Sequence, residues 1–155
     1  MYLGHAFLLK EFGVRPKIGW HVDPFGHSAA NAALFSDFGF EAIFISRLDE
    51  GERQKRMDEK SMTFLWNPFS NNFGEEKQIL GHIMYADYSS PKGFQWDQNN
   101  NNDGPVQNDT TLADFNADQR VTSLINHVQQ VSLAHKAKHN VMIPFGDDFT
   151  FQNAR

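Results

Sequence analysis

Ten consecutive residues decide the fold: Gly19-Trp20-His21-Val22-Asp23-Pro24-Phe25-Gly26-His27-Ser28. The first four of them, Gly19 to Val22, complete a short apolar run over 16–22 (PKIGWHV), and this run predicts a buried strand. Pro24 and Gly26 mark a tight loop after that strand. Ser28 is a favourable N-cap for the alanine-rich segment that follows, which predicts a helix. A strand, a loop and a helix in this order are typical of an α/β fold.

Helices and strands continue to alternate on both sides of this stretch. Because strands that alternate with helices pair through right-handed crossovers, the pattern predicts an α/β fold with a parallel sheet. The predicted helices cover residues 5–12, the alanine-rich segment up to Gly39, a charged stretch over 49–60, and a long segment that begins at Asn116 with a capping box to Gln119 and an apolar stripe of Val121, Leu124, Ile125, Val128 and Val131. The further predicted strands cover 40–46, 61–66, 78–84 and 140–145.

Residues 85–115 differ from the rest in composition. They are rich in Asn, Asp, Gly and Pro and contain the tract Asn99–Asn102. Such a composition predicts a long surface excursion with little regular structure, partly disordered at the Asn tract.

Composition excludes several classes of protein. The 155 residues hold 14 Lys and Arg against 19 Asp and Glu, so the net charge is −5, which argues against a nucleic-acid partner. The absence of Cys excludes disulfides, a thiol nucleophile and Cys-based metal sites. No window approaches the ~20 apolar residues of a membrane helix.

Charged residues follow three of the predicted strands. Asp23, Arg47 and the pair Asp147-Asp148 each stand just past a predicted carboxyl end. In parallel α/β folds that edge collects catalytic groups, which favours an active site, although chance placement of charged loop residues is a competing explanation.

Two facing carboxyl groups suit glycoside hydrolysis, with one as proton donor and the other as nucleophile or base. An arginine such as Arg47 beside the nucleophile would favour its ionised form. A neighbouring carboxylate raises the pKa of a carboxylic acid and so helps to keep it protonated, and Asp147 and Asp148 are neighbours of this kind.

The same stretch permits a metal site. His21-x-Asp23 places two side chains on one face of a strand, His27 follows after the loop, and mixed His and Asp ligands suit zinc. Taken alone, His21 is better explained as a packed or hydrogen-bonded histidine.

Two further features concern carbohydrate. Phe25 and Tyr88 are candidate platforms for a sugar ring, Tyr88 being favoured because it lies in the polar excursion and carries a hydroxyl. Asn108-Asp109-Thr110 is an N-glycosylation sequon in a predicted surface loop, which gives slight support for a secretory location.

Three segments resemble glycoside hydrolase family 38, the retaining α-mannosidases of lysosome and Golgi. The ten-residue stretch resembles the family's nucleophile segment, residues 44–49 (FISRLD) its arginine-containing strand end, and residues 143–149 (IPFGDDF) the segment with its acid/base. The resemblance covers nearly the whole chain.

The resemblance implies a role for each matching residue. Asp23 matches the nucleophile, which also binds the catalytic zinc, and Asp148 matches the acid/base. Arg47 matches an arginine that contacts the nucleophile, and Tyr88 a tyrosine that contacts substrate. The implied substrates are mannose-containing glycans, and the implied location is the lysosome, the vacuole or another lumen of the secretory pathway.

The family fold is a seven-stranded parallel β/α barrel, of which this chain would hold an incomplete part. The family's other zinc ligands lie upstream of the nucleophile and downstream of the acid/base, in segments that these 155 residues do not contain. We therefore expect residues 1–155 to be an internal fragment of the N-terminal catalytic domain, inactive without its remainder. Two alternatives are a truncated non-catalytic product and a zinc polysaccharide deacetylase-like hydrolase with His21, Asp23 and His27 as ligands.

Overall fold

A computed structural model describes residues 1–95, 103–137 and 139–150. The chain divides into two compact units, Met1–Asp87 and Tyr88–Arg155. The tract Asn99–Asn102 lies outside the described residues, so the disorder predicted there stays a prediction.

The first unit is a mixed α/β structure built on one four-stranded sheet. Its elements in chain order are α1 (Tyr2–Phe12), β1 (Ile18–His21), α2 (Ala29–Asp37), β2 (Ala42–Ile45), α3 (Glu50–Asp58), β3 (Thr63–Trp66), α4 (Ser70–Phe73) and β4 (Ile79–Ile83). The strand order is β1-β2-β4-β3, in which β1, β2 and β4 are parallel. The predicted α/β class is therefore confirmed.

The prediction of an all-parallel sheet is wrong for β3, which pairs antiparallel with β4. The connection between these two strands contains only α4, a single helical turn of four residues. A parallel connection needs a crossover long enough to pass along the sheet, usually through a full helix. The short α4 instead allows the chain to fold back beside the strand it has just left.

Local signals set the ends of the helices. Gly13 ends α1 in a left-handed conformation at φ 67°. Ser28 Oγ accepts a hydrogen bond from Asn31 N at 3.1 Å at the start of α2, as predicted. Asp49 caps α3 in the same way, accepting from Glu52 N at 3.0 Å.

The core of the first unit lies on one face of the sheet. Ile43, Ile45, Ile79 and Ile83 from the central strands are at most 3% exposed there, against buried residues of α2 such as Phe35. The strand over 16–22 was predicted to be buried, but Ile18 and Trp20 are more than half exposed. The reason is that Ile18 and Trp20 lie on the face of the sheet opposite the core, where Leu80 of the central strand β4 is also exposed.

The second unit contains one regular helix in its described part, α5 (Ala117–Leu133). The described residues of the 85–115 excursion form turns and bends, and Asp103 Oδ2 stabilises them by accepting from Gly93 N at 2.9 Å and Gln95 N at 3.2 Å. Of the predicted apolar stripe of α5, Val131 is buried, whereas Val121 and Ile125 are exposed.

Two predictions for the second unit are wrong. Residues 140–145 are not a strand, and among the described residues no strand pairs with them; Met142 and Phe145 are exposed. Asn116 precedes α5 but makes no capping hydrogen bond. Its side chain instead accepts from Gln107 N at 3.0 Å and donates to Pro105 O at 3.1 Å, because an Asn can serve a loop as readily as a helix end.

No helix in the described parts of either unit has the length and apolar character needed to cross a membrane.

Candidate active site

The turn after β1 presents a half-exposed carboxylate, that of Asp23. Pro24 follows it and restricts its backbone to an extended conformation. Gly26 then adopts φ +128°, a conformation that side chains disfavour, so the chain can turn sharply toward the Ser28 cap. The local sequence thus fixes where Asp23 stands relative to the end of β1.

Arg47, two residues past β2, meets this carboxylate. Its Nε and Nη2 atoms donate to the same oxygen, Asp23 Oδ1, at 2.9 Å and 2.6 Å. The guanidinium carbon also lies 5.0 Å from the centre of the Phe25 ring, in a cation–π arrangement. The structure therefore brings together three of the predicted site residues, Asp23, Arg47 and Phe25.

His27 holds the backbone of the same arginine. Its Nε2 donates to the Arg47 carbonyl oxygen at 2.7 Å. The His27 ring lies 5.7 Å from the ring of His21, which in turn packs edge-on against Phe35 at 5.3 Å. Burial, and secondly the proximity of His27, lower the pKa of His21 below 6.5, and the ring is packed rather than solvated.

A cavity of about 700 Å³ opens beside Arg47, at the carboxyl ends of β2 and β4. Its walls include Phe25 and His27 from the turn after β1. Ser46 and Arg47, which follow β2, and Arg53 of α3 also line it. Asp87, four residues past β4, also lines it and accepts a hydrogen bond from Ser46 Oγ at 3.0 Å. This is the sheet edge at which parallel α/β folds collect functional groups.

Two of these wall residues were missed in the sequence. Asp87 carries a signal that could have found it, since it follows a predicted strand (78–84) as Asp23 and Arg47 follow theirs. Arg53 carries none, because an arginine in a charged helix is normally solvated.

The second unit places the other predicted residues together. Tyr88 Oη donates to Asp148 Oδ2 at 3.4 Å. Asp148 N donates to Asp147 Oδ1 at 2.7 Å, and Asp147 N donates to Thr150 Oγ1 at 3.0 Å. The side chain of Asp147 is therefore used to shape the turn that carries Asp148. Gly146, at the start of the turn, is tied to Ser90, whose Oγ accepts from Gly146 N at 2.8 Å.

Residues 1–155 match the glycosyl hydrolases family 38 N-terminal domain over their whole length. The chain belongs to glycosyl hydrolase family 38.

Individual relatives agree with this membership. The chain is 41% identical over 155 residues to the lysosomal alpha-mannosidase of Dictyostelium discoideum, covering 100% of this chain and 15% of that protein. It is 36% identical over 153 residues to an alpha-mannosidase of Canavalia ensiformis (98% and 15%). It is 33% identical over 156 residues to the lysosomal alpha-mannosidase of Bos taurus (99% and 15%). The chain thus spans about 15% of the length of these curated relatives.

The described residues of this family 38 chain do not by themselves form a complete metal site. Among them, no group of three His, Cys, Asp or Glu side chains is placed to hold one ion. His21, Asp23 and His27 therefore gain no support as a zinc triad, and His27 Nε2 is occupied by the Arg47 carbonyl. Asp23, with its half-exposed carboxylate, fits a single ligand of a site completed by other residues.

Proposed function

We propose that the protein containing this chain is a retaining, zinc-dependent alpha-mannosidase that hydrolyses α-mannosidic bonds of mannose-containing glycans, including N-glycans. The observation that carries the proposal is the double hydrogen bond of Arg47 to Asp23 at the carboxyl edge of the sheet of a family 38 chain. The names of the relatives, several of them lysosomal alpha-mannosidases, support this substrate class and a lysosomal location.

In the first chemical step Asp23 acts as the nucleophile. Its carboxylate attacks the anomeric carbon and forms a covalent mannosyl ester, while the bond to the leaving oxygen breaks. Arg47 orients the carboxylate through Oδ1 and favours its ionised form before attack.

Asp148 is the acid/base in this proposal. It donates its proton to the departing oxygen in the first step and takes a proton from water in the second, in which that water cleaves the ester with net retention. Tyr88, which donates to Asp148 Oδ2, orients the carboxyl group, and Asp147 shapes the turn beneath it. Phe25, exposed beside Arg47, offers an apolar surface to a sugar ring.

Zinc, when bound, would supply Lewis-acid stabilisation to sugar oxygens near the reacting carbon. In this chain Asp23 would be one ligand, and we propose that the remaining ligands come from parts of the protein beyond these 155 residues. We likewise propose that the four strands form part of a seven-stranded β/α barrel.

The test uses the full-length enzyme. A fluorinated mannosyl fluoride, which forms the ester faster than it is hydrolysed, should label the peptide that contains Asp23. The product released first from a normal substrate should be the α-anomer when followed by NMR. A first product with the β-configuration, or a label on another residue, would overturn the assignment. Asp23→Ala should also lower the zinc content measured by elemental analysis, whereas Asp148→Asn should leave it unchanged.

A further inference from the structure

The loop that leads into α5 is closed at its base by two residues. Asn116 N donates to Gln107 O at 3.1 Å, and Gln107 N donates to Asn116 Oδ1 at 3.0 Å. Residues 108–115 thus project from a fixed base, and Asn108 is the first residue beyond it. All three residues of the sequon Asn108-Asp109-Thr110 are exposed.

The side chain of Asp109, the middle residue of the sequon, is hydrogen-bonded to Thr111, the residue that follows the sequon. Asp109 Oδ1 accepts from Thr111 N at 2.9 Å and from Thr111 Oγ1 at 2.7 Å, and these bonds lower the pKa of Asp109. Within the described part of the chain, the side chain of Asn108 makes no hydrogen bond. Among the described residues, therefore, none blocks access to the exposed amide.

We propose that Asn108 carries an N-linked glycan, an inference that rests on the proposed function through its secretory location. In the transfer, the amide nitrogen of Asn108 forms a bond to the first sugar of a lipid-diphosphate-linked oligosaccharide. The sugar–phosphate bond breaks, the lipid diphosphate leaves with the electron pair, and the amide gives up one proton. Thr110 supplies the hydroxyl residue that the acceptor triplet needs.

The test is peptide mapping of the full-length protein secreted from eukaryotic cells. Amidase removal of the glycan should convert Asn108 to Asp, and both Asn108→Gln and Thr110→Ala should lose one glycan by mass. Thr111→Ala, which removes the Asp109 contact and keeps the triplet, should stay modified. An unmodified Asn108 in secreted, active enzyme overturns this proposal alone, since that activity would leave the proposed function intact.

A second inference concerns Arg53, which is 7% exposed although it lies in a helix of charged residues. Its guanidinium donates through Nη1 to Met84 O at 2.5 Å and to Tyr85 O at 3.5 Å, and through Nη2 to Ser46 O. Glu50, 3.6 Å away, faces its Nε. A buried guanidinium is thus satisfied chiefly by main-chain carbonyls.

These carbonyls belong to residues that directly follow the two central strands. A backbone hydrogen bond from Met84 N to Ile45 O at 2.9 Å joins the ends of those strands. Past the ends of both strands, the Arg53 guanidinium bridges Ser46 O and Met84 O. The backbone of Ser46 leads directly into Arg47, so Arg53 fixes the point from which Arg47 reaches Asp23.

The geometry points to Arg53 as a positioning residue for the Arg47–Asp23 pair, an inference that rests on the proposed mannosidase function. Removal of the guanidinium should move the Ser46–Arg47 backbone and misplace the donors to Asp23. A displacement of this kind lowers turnover more than substrate binding, because it acts on the nucleophile.

The test measures kcat and KM of Arg53→Ala and Arg53→Lys in the full-length enzyme. We expect about a tenfold or larger loss in kcat with little change in KM for Arg53→Lys, since an ammonium cannot reproduce the planar fork that spans both carbonyls. Arg53 lines the cavity, so millimolar methylguanidinium should restore part of the kcat of Arg53→Ala.

Arg56 of the same helix is the matched control. It pairs with Glu52 at 2.7 Å and lies 4.6 Å from the Phe64 ring centre, and its Nη1 donates to Ser61 O at 3.2 Å, before β3 rather than past the central strands. Arg56→Lys should keep the wild-type kcat. If Arg53→Ala does not fold, Arg53→Lys decides: a wild-type kcat in that variant overturns the role. The wild-type enzyme, assayed alongside, tests the proposed function separately.

Discussion

Arg47 donates two hydrogen bonds to one oxygen of Asp23, with Nε at 2.9 Å and Nη2 at 2.6 Å from Oδ1. A fork that converges on one oxygen fixes the rotation of the carboxylate as well as its position. In the proposed mechanism that rotation sets which lone pair meets the anomeric carbon.

Arg47→Lys should therefore reduce kcat/KM by about tenfold or more, because a lysine offers a point charge in place of a rigid fork. The measurement is steady-state hydrolysis of an aryl α-mannoside by the full-length enzyme. Lys17→Met, which removes an exposed ion pair to Glu41, is the control and should have no effect. Equal losses in the two variants would contradict a specific role for the fork.

The two aspartates of the second unit should respond differently to amidation. Asp148→Asn should slow cleavage of poor leaving groups by about 10²–10⁴-fold and affect activated aryl mannosides far less, because only the former need a proton from the enzyme. Asp147→Asn should have the smaller effect, since its carboxylate accepts from the Asp148 backbone at 2.7 Å and serves the turn. Equal slowing of both substrate types in Asp148→Asn would tell against the acid role.

Gly81 in β4 has no room for a side chain. A Cβ built there would lie 2.7 Å from Cζ of Phe64 on the neighbouring β3. Gly81→Ala should lower the free energy of unfolding by about 1–3 kcal/mol, because the added methyl group displaces that ring and its contact with Arg56. The rate of thermal inactivation measures this loss. Gly4→Ala in α1, where none of the described residues lies within 4 Å of the added Cβ, should instead stabilise the protein slightly. An inactivation rate of Gly81→Ala no faster than that of the wild type would contradict the prediction and show that the ring moves aside without cost.

His135 should make the stability of the protein depend on pH. Burial lowers its pKa below 6.5, so near that pH the unfolded chain binds more protons than the folded chain. The stability that the neutral, buried His135 contributes is complete above about pH 6.5. It is lost as the pH falls from there through the lower pKa of the folded protein. His135→Gln should flatten the rise in inactivation rate over this range. His139→Gln, at an exposed position, should leave it unchanged, and identical slopes in all three proteins would contradict the prediction.

The parts of the fold that could be predicted depend on signals close together in sequence. The end of β1, the turn and the Ser28 cap lie within ten residues, and each is specified by its own side chains. Asp23 and Arg47 could be paired because residues past parallel strands meet at one edge.

The parts that could not be predicted depend on distant contacts. The direction of β3 follows from the shortness of α4, whose single turn has no strong sequence signal. The burial of Arg53 follows from the carbonyls of Ser46 and Met84, which lie 7 and 31 residues away in the chain. Asn116 has the residue type of a cap, but its amide meets the backbone of Pro105 and Gln107.

The turn from Asp23 to His27 touches Arg47 at both ends, through the carboxylate on the guanidinium and through the imidazole on the carbonyl. Because both contacts are made to one residue, the length of the turn must match the spacing between the neighbouring strands β1 and β2. An extra residue inserted between Asp23 and His27 would let only one of the two contacts form. The spacing of the turn is therefore as much a part of the site as the side chains that it carries.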